Sequence, residues 1–156
     1  MEPLLPSARV LALLHVQFHA LPPRHDVDVG DVIYGRLRLN VEENEHTLLA
    51  ASNYATSLVG FKRYAEVKSL LRRLIPVARR VLGDHNDLTL KMRGLYAQSL
   101  YKDTTATLDD LREAVSTLEN TERIARRVLG GVHPLTKGIE HNLQNARAAL
   151  RARRGA

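Results

Sequence analysis

The apolar residues of this chain recur at helical spacing, and they recur in the same order more than once. The hexapeptide Ala78-Arg79-Arg80-Val81-Leu82-Gly83 returns unchanged as Ala125-Arg126-Arg127-Val128-Leu129-Gly130, 47 residues later. Each copy leads through a loop to a threonine, Thr89 in one case and Thr136 in the other. A third threonine, Thr47, lies 42 residues before Thr89 and opens a similar run. Counted from these threonines, the apolar stripe reads Ala50, Tyr54, Leu58 and Phe61; then Met92, Tyr96, Ser99 and Leu100; then Ile139, Leu143, Ala146 and Leu150. That spacing places each set on one face of a helix, so a helix is expected to begin at each threonine.

A second helix follows in the first two units. Tyr64, Val67, Leu71, Leu74, Ala78 and Val81 match Leu111, Ala114, Leu118, Thr121, Ala125 and Val128. Each helix alone would leave its stripe in water. At about 25 cal/mol per Å2 of apolar surface, stacking hairpins is what makes such a chain stable. Aligning Leu58 with Leu100 and Tyr64 with Leu111 assigns the longer second period to five extra residues within Lys102 to Thr107, at an inter-helix turn. Turns tolerate such insertions.

The boundaries have local chemistry that fits. Gly83 and Gly130 stand where left-handed caps would end the second helices. Arg79, Arg80, Arg126 and Arg127 occupy last turns, where cations favour the helix dipole. Pro134 suits a first turn, and Thr107 is an N-cap ahead of Leu108-Asp109-Asp110. Pro76 is the exception: it falls inside a helix, removes the bond to the Arg72 carbonyl and is expected to kink it.

Residues 1–40 follow the pattern less well. Ser7 to Leu21 can be a helix with Val10, Leu13, Leu14 and Phe18 on one side, ended by Pro22-Pro23. Val29, Val32, Ile33 and Leu37 suggest a second helix, which would make a degenerate first hairpin; the Val/Asp alternation at 26–29 also fits a short strand or loop, or a poorly ordered extension. The expected organisation is therefore an N-terminal segment 1–40, a repeat domain 41–152 and a basic tail 153–156.

Composition narrows the function. The chain has 156 residues, 44% of them hydrophobic and 4% aromatic, with no Trp and no Cys. The core must come from Leu, Val, Ile and Ala, and disulfides, thiolate metal sites and cysteine nucleophiles are excluded. The formal charge is +6. Four arginines near the end, Arg147, Arg151, Arg153 and Arg154, account for much of it, and without them about +2 remains. The other basic residues alternate with acids at helical spacing, which reads as solvated helix faces rather than as a nucleic-acid interface. No stretch reaches the roughly 18 apolar residues of a membrane span. Val10 to Leu14 is short, and the start Met1-Glu2-Pro3 lacks the basic opening of a signal peptide, so a cytoplasmic protein is expected. An organelle-targeting segment is the alternative, because residues 3–25 carry no acid.

Lys62-Arg63-Tyr64-Ala65-Glu66 resembles the Gly-Arg-Tyr-x-Glu turn of kinesin-light-chain-type tetratricopeptide repeats, with Lys62 in place of glycine. Arg126 to Thr136, which includes Val128-Leu129-Gly130-Gly131-Val132-His133-Pro134-Leu135-Thr136, resembles that family's helix ending, Val-Leu-Gly-x-x-His-Pro-x-Thr. Asn53 and Asn142, six residues after their threonines, stand where the family has a helix asparagine. Unit two departs: Leu95 replaces the asparagine and Asn86-Asp87 replaces His-Pro. The resemblance covers about residues 41–152 and implies an all-α, right-handed solenoid of stacked antiparallel hairpins that binds protein or peptide segments. The chain has no long heptad run of the kind that would join a kinesin heavy chain, so a motor subunit is not implied.

Candidate catalytic and metal sites are weak. His15 and His19 have i, i+4 spacing but lack the following Glu and a third ligand. Glu42, Glu43, Glu45 and His46 read as an acidic cap. Asp84-His85-Asn86-Asp87 lacks the length and late Glu of a calcium loop and reads as a cap. Gly130-Gly131 has no phosphate-loop lysine. No catalytic residue, metal site or cofactor is expected, and the chain is read as a non-enzyme.

The candidate site is a surface. In stacked hairpins the first helices line the concave side. Positions beside the core stripe there hold Asn53 and Thr56; Lys91, Leu95, Gln98 and Lys102; Asn142 and Asn145. Amides can bond a peptide backbone at many registers, and lysines favour an acidic segment. The expected function is a scaffold or adaptor that binds an extended acidic segment along this row. The same residues also fit ordinary solvent-facing positions, and a second reading is a structural or regulatory fragment of a longer repeat protein with no ligand of its own.

Overall fold

The chain divides into two units, Met1–Glu42 and Glu43–Ala156. A computed structural model describes residues 45–155, within the second. The expected N-terminal hairpin, His15 with His19, and Glu42 with Glu43 lie outside the described residues. Among the described residues five helices follow one another: α1 (Glu45–Gly60), α2 (Tyr64–Leu82), α3 (Asp87–Lys102), α4 (Leu108–Val128) and α5 (Pro134–Gly155). No strand occurs among the described residues. Helices α1, α3 and α5 each begin two residues ahead of the expected threonine, and α5 carries on through Arg153 and Arg154 to Gly155.

The helix ends follow from side-chain chemistry. Asn86 caps α3, its Oδ1 accepting the Leu88 N–H at 2.9 Å. Thr107 and Asp110 close a capping box on α4: Thr107 Oγ1 accepts the Asp110 N–H at 3.1 Å, and Asp110 Oδ2 accepts the Thr107 N–H at 2.9 Å. Those bonds to Thr107 hold the Asp110 carboxyl below the usual carboxylate range. Ahead of Pro134, His133 accepts the Leu135 N–H on Nδ1 at 3.2 Å, so the His-Pro pair starts α5 from both sides of the peptide bond.

Gly83 and Gly130 have φ of 91° and 90°, where a β-carbon is strained. The sign is the one expected of a left-handed cap, but ψ at Gly83 is 163°, so that residue leaves the helix in an extended glycine conformation. The α1–α2 turn is closed by two bonds, Arg63 N–H to Leu58 O at 2.9 Å and Lys62 N–H to Val59 O at 3.0 Å. This is a Schellman end, and its left-handed position is held by Lys62, at φ 59°. Helix α2 runs unbroken through Pro76, whose ring is exposed.

The five extra residues are shared between two elements. Residues 103–107 form a turn two residues longer than 61–63. The other three, Leu108-Asp109-Asp110, extend α4 ahead of Leu111, the residue aligned with Tyr64 at the start of α2.

Successive helices pack on one another, and α3 also packs on both α1 and α5. The second-helix stripes are buried as expected through Val67, Leu71, Leu74 and Ala78, and through Leu111, Ala114, Leu118, Thr121 and Ala125. Their outer members differ: Tyr64 and Val81 are half-buried and Val128 is 44% exposed. The stripe on α3 is buried throughout, and on α5 only Leu150 is half out.

The stripe on α1 is corrected. Leu48, Ala51, Ser52, Ala55 and Leu58 form its buried face. Ala50 and Tyr54 are half-buried, and burial pushes the Tyr54 hydroxyl up to about 12. Phe61 is 72% exposed, because α1 has already ended at Gly60.

Candidate functional site

Helix α3 sets the geometry of the row. It is covered on most sides, with Leu88, Thr89, Leu90, Met92, Gly94, Tyr96, Ala97, Ser99 and Leu100 all buried. Gly94 gives α5 close access: a β-carbon built there would stand 3.7 Å from Ile139 Cγ1. Lys91, Leu95 and Gln98 remain half-buried on α3, and Lys102 is exposed at its end. On α1, Asn53 and Thr56 are exposed; on α5, Asn142 and Asn145 are half-buried. The row therefore sits outside the core on three helices, with α3 touching the other two.

Some of its polar capacity is already used. The Thr56 hydroxyl donates to the Ser52 carbonyl at 2.9 Å, which leaves it only as an acceptor. Asn142 Oδ1 accepts the Tyr101 hydroxyl at 2.8 Å, joining α3 to α5. The Asn145 amide lies 3.0 Å from His141 Nε2. Burial is the main reason the Tyr101 hydroxyl titrates above its ordinary value, so it stays a donor at neutral pH. Tyr101 and His141 were not among the residues the sequence singled out. The signal for Tyr101 was its position, three residues after Gln98 and beside Lys102.

The second-helix cations make bonds elsewhere. Arg72 donates to the Tyr96 hydroxyl at 3.2 Å, and Tyr96 donates to Glu113 at 2.6 Å, so one polar chain links α2, α3 and α4. Lys68 reaches Asp110 at 3.4 Å, and Arg147 reaches Glu119 at 2.8 Å. The surfaces of Arg72, Arg79 and Arg80 are exposed, as expected, while Arg73 is half-buried.

In the Asp84 to Asp87 loop the acids and amides serve the fold: Arg79 holds Asp84, and Asn86 and Asp87 face the α3 start. Among the described residues no group of three or more His, Asp or Glu side chains is placed to hold a metal ion. No helix there is long and apolar enough to cross a membrane.

A cleft of about 590 Å3 opens between the α1–α2 and α3–α4 turns, and Lys102 belongs to both cleft and row. No protein-family model matches the chain, and it matches no curated protein and no solved structure.

Proposed function

We propose that this chain is a tetratricopeptide-like scaffold, resembling the repeats of kinesin light chains, that binds an extended acidic segment of another protein along α1, α3 and α5. One observation carries the reading: α3 packs on both α1 and α5 while its row positions stay outside the core. The odd-numbered helices thereby offer adjoining surfaces to one ligand, as first helices do in a stack of hairpins.

The chemistry of the row supports the choice of ligand. Asn53 and Gln98 supply amides at two points, and Lys91 and Lys102 supply positive charge. Leu95 adds a half-buried apolar contact between the lysines. Such a surface binds through main-chain bonds and charge attraction, with modest apolar burial, so its affinity should fall with salt.

Selection from a displayed random-peptide library on the whole chain tests this. Acidic peptides should be enriched, and their affinity, read by fluorescence anisotropy, should drop about tenfold or more in the Lys91→Glu/Asn142→Ala variant. Circular dichroism of that variant checks that its helices remain. Enrichment of neutral peptides, or an affinity that neither the double change nor high salt alters, overturns the reading.

A further inference from the structure

Residues 62–63 and 103–105 belong to turns distant in sequence, yet they line the same cleft of about 590 Å3, together with Lys102 and the first turn of α2. Its charges are unevenly committed. Arg63 grips Glu66 through two bonds, Nε to Oε1 at 2.5 Å and Nη2 to Oε2 at 2.8 Å. Asp103 accepts the Thr105 N–H at 2.9 Å and the Thr105 hydroxyl at 2.8 Å. Both carboxylates thus already have donors. The ammonium groups of Lys62 and Lys102 have no ion-pair partner among the described residues, and the hydroxyls of Tyr64 and Thr104 have no hydrogen-bond partner there.

Lys62 adds an independent pointer. Its backbone sits at φ 59°, held by the Schellman bonds of the α1–α2 turn. Glycine takes that conformation without steric cost, whereas lysine is strained in it. A strained residue that brings charge to a cleft is a reason to look for a ligand.

We infer that the cleft is a phosphate-monoester subsite, in which Lys62 and Lys102 neutralise the phosphate and the Thr104 and Tyr64 hydroxyls bond its oxygens. A phosphate monoester carries about −1.5 to −2 charges at neutral pH, so two uncommitted ammonium groups match it better than they match one carboxylate. Because Lys102 also ends the row on α3, the phosphate would be borne by a side chain of the segment lying along that row. That last step rests on the proposed function; the phosphate chemistry rests on the cleft alone.

The test is a 1H–15N NMR titration of the whole chain at constant ionic strength. Three probes are used: inorganic phosphate, N-acetyl-O-phosphoserine amide and N-acetyl-glutamate amide. Both phosphates should shift the amides of residues 62–66 and 102–105 saturably, phosphoserine amide at the lower concentration, and glutamate amide should bind at least about tenfold more weakly. The Lys62→Gly/Lys102→Gln variant should lose about tenfold or more in phosphate affinity while its melting temperature holds or rises, since glycine relieves the turn.

Shifts spread over the arginine-rich end of α5, or shifts that the double variant leaves unchanged, overturn the subsite. Equal affinity for glutamate amide overturns the phosphate assignment, and tighter binding of inorganic phosphate overturns the side-chain source. None of these readouts depends on the row. A chain that binds phosphate here but selects no acidic peptide loses the proposed function and keeps the subsite.

Discussion

The identical hexapeptides Ala78–Gly83 and Ala125–Gly130 close α2 and α4, α4 ending one position earlier in the motif than α2, and they bond to different neighbours. In both, the alanine is fully buried and the glycine has φ near 90°. The first arginine then diverges. Arg79 turns to Asp84 in the loop just beyond its own helix, whereas Arg126 pairs with Glu122 on its helix and with Glu140 on α5. Three positions differ: Asp84 against Gly131, Ile75 against Glu122 and, fourteen residues past the first arginine, Arg93 on α3 against Glu140 on α5. Arg93 is half-buried, and its burial lowers its pKa, an effect that Asp84 opposes and Arg79 reinforces. Asp84, held below the usual carboxylate range by its bond to Arg79, thus screens two like charges at one junction. At the other junction the charges attract directly. The buried alanine and the positive-φ glycine recur, while surface residues decide how each copy is wired.

The largest effect should come from what the two copies share. Leu71 and Leu118 occupy equivalent, fully buried positions. Leu71→Ala and Leu118→Ala should each cost about 2–5 kcal/mol in urea unfolding followed by circular dichroism. A loss below about 1 kcal/mol at either site would break the equivalence. A smaller effect is expected at the helix ends. Gly83→Ala and Gly130→Ala should each cost about 1–3 kcal/mol, because both glycines need positive φ and neither has a neighbour within 4 Å that a methyl could pack on. If one is neutral, that end does not hold its glycine at positive φ.

The smallest effect should come from what the copies do not share. Arg93→Glu removes a repulsion from Arg79 but also the stronger attraction to Asp84, and it sets a second acid beside Asp84. A loss of less than about 1 kcal/mol is expected, shrinking in high salt. In the unaltered chain, the part of this junction's stability due to Asp84 is present above the ordinary carboxylate pKa. It is lost as pH falls through the lowered pKa. A melting temperature of Arg93→Glu that rises above the parent's at neutral pH would contradict the charge comparison.

How far the sequence could be read follows the same division. The stripes on α2 and α4 were legible because leucine and valine alternate with charge at helical spacing. On α1 the buried face is largely alanine and serine, Ala51, Ser52 and Ala55, which differ little in hydrophobicity from their neighbours. Tyr54 and Phe61 drew the stripe off that face, although Phe61 lies beyond the last residue of the helix.

Of the candidate row, exposure beside the core was legible from the phase of α3. The Tyr101–Asn142 bond and the capture of Thr56 by Ser52 were not, since each depends on where a neighbouring group stands in space. The cleft was hidden for the same reason: its walls are two turns some forty residues apart, and only packing brings them to one place. Lys62 stands where the similar repeats have glycine, and its φ of 59° gives that departure a physical meaning.

The contact of α3 with α5 is the hinge of the whole reading, because it joins the row across the later helices. A NOESY spectrum of the labelled chain examines it at Gly94 and Ile139, where a β-carbon built on the glycine would stand in van der Waals contact with Ile139 Cγ1. Cross-peaks from the Gly94 α-protons to the Ile139 side chain are predicted, accompanied by peaks between the Tyr101 ring and Asn142. Five intact helices without those cross-peaks would contradict a shared surface on α3 and α5.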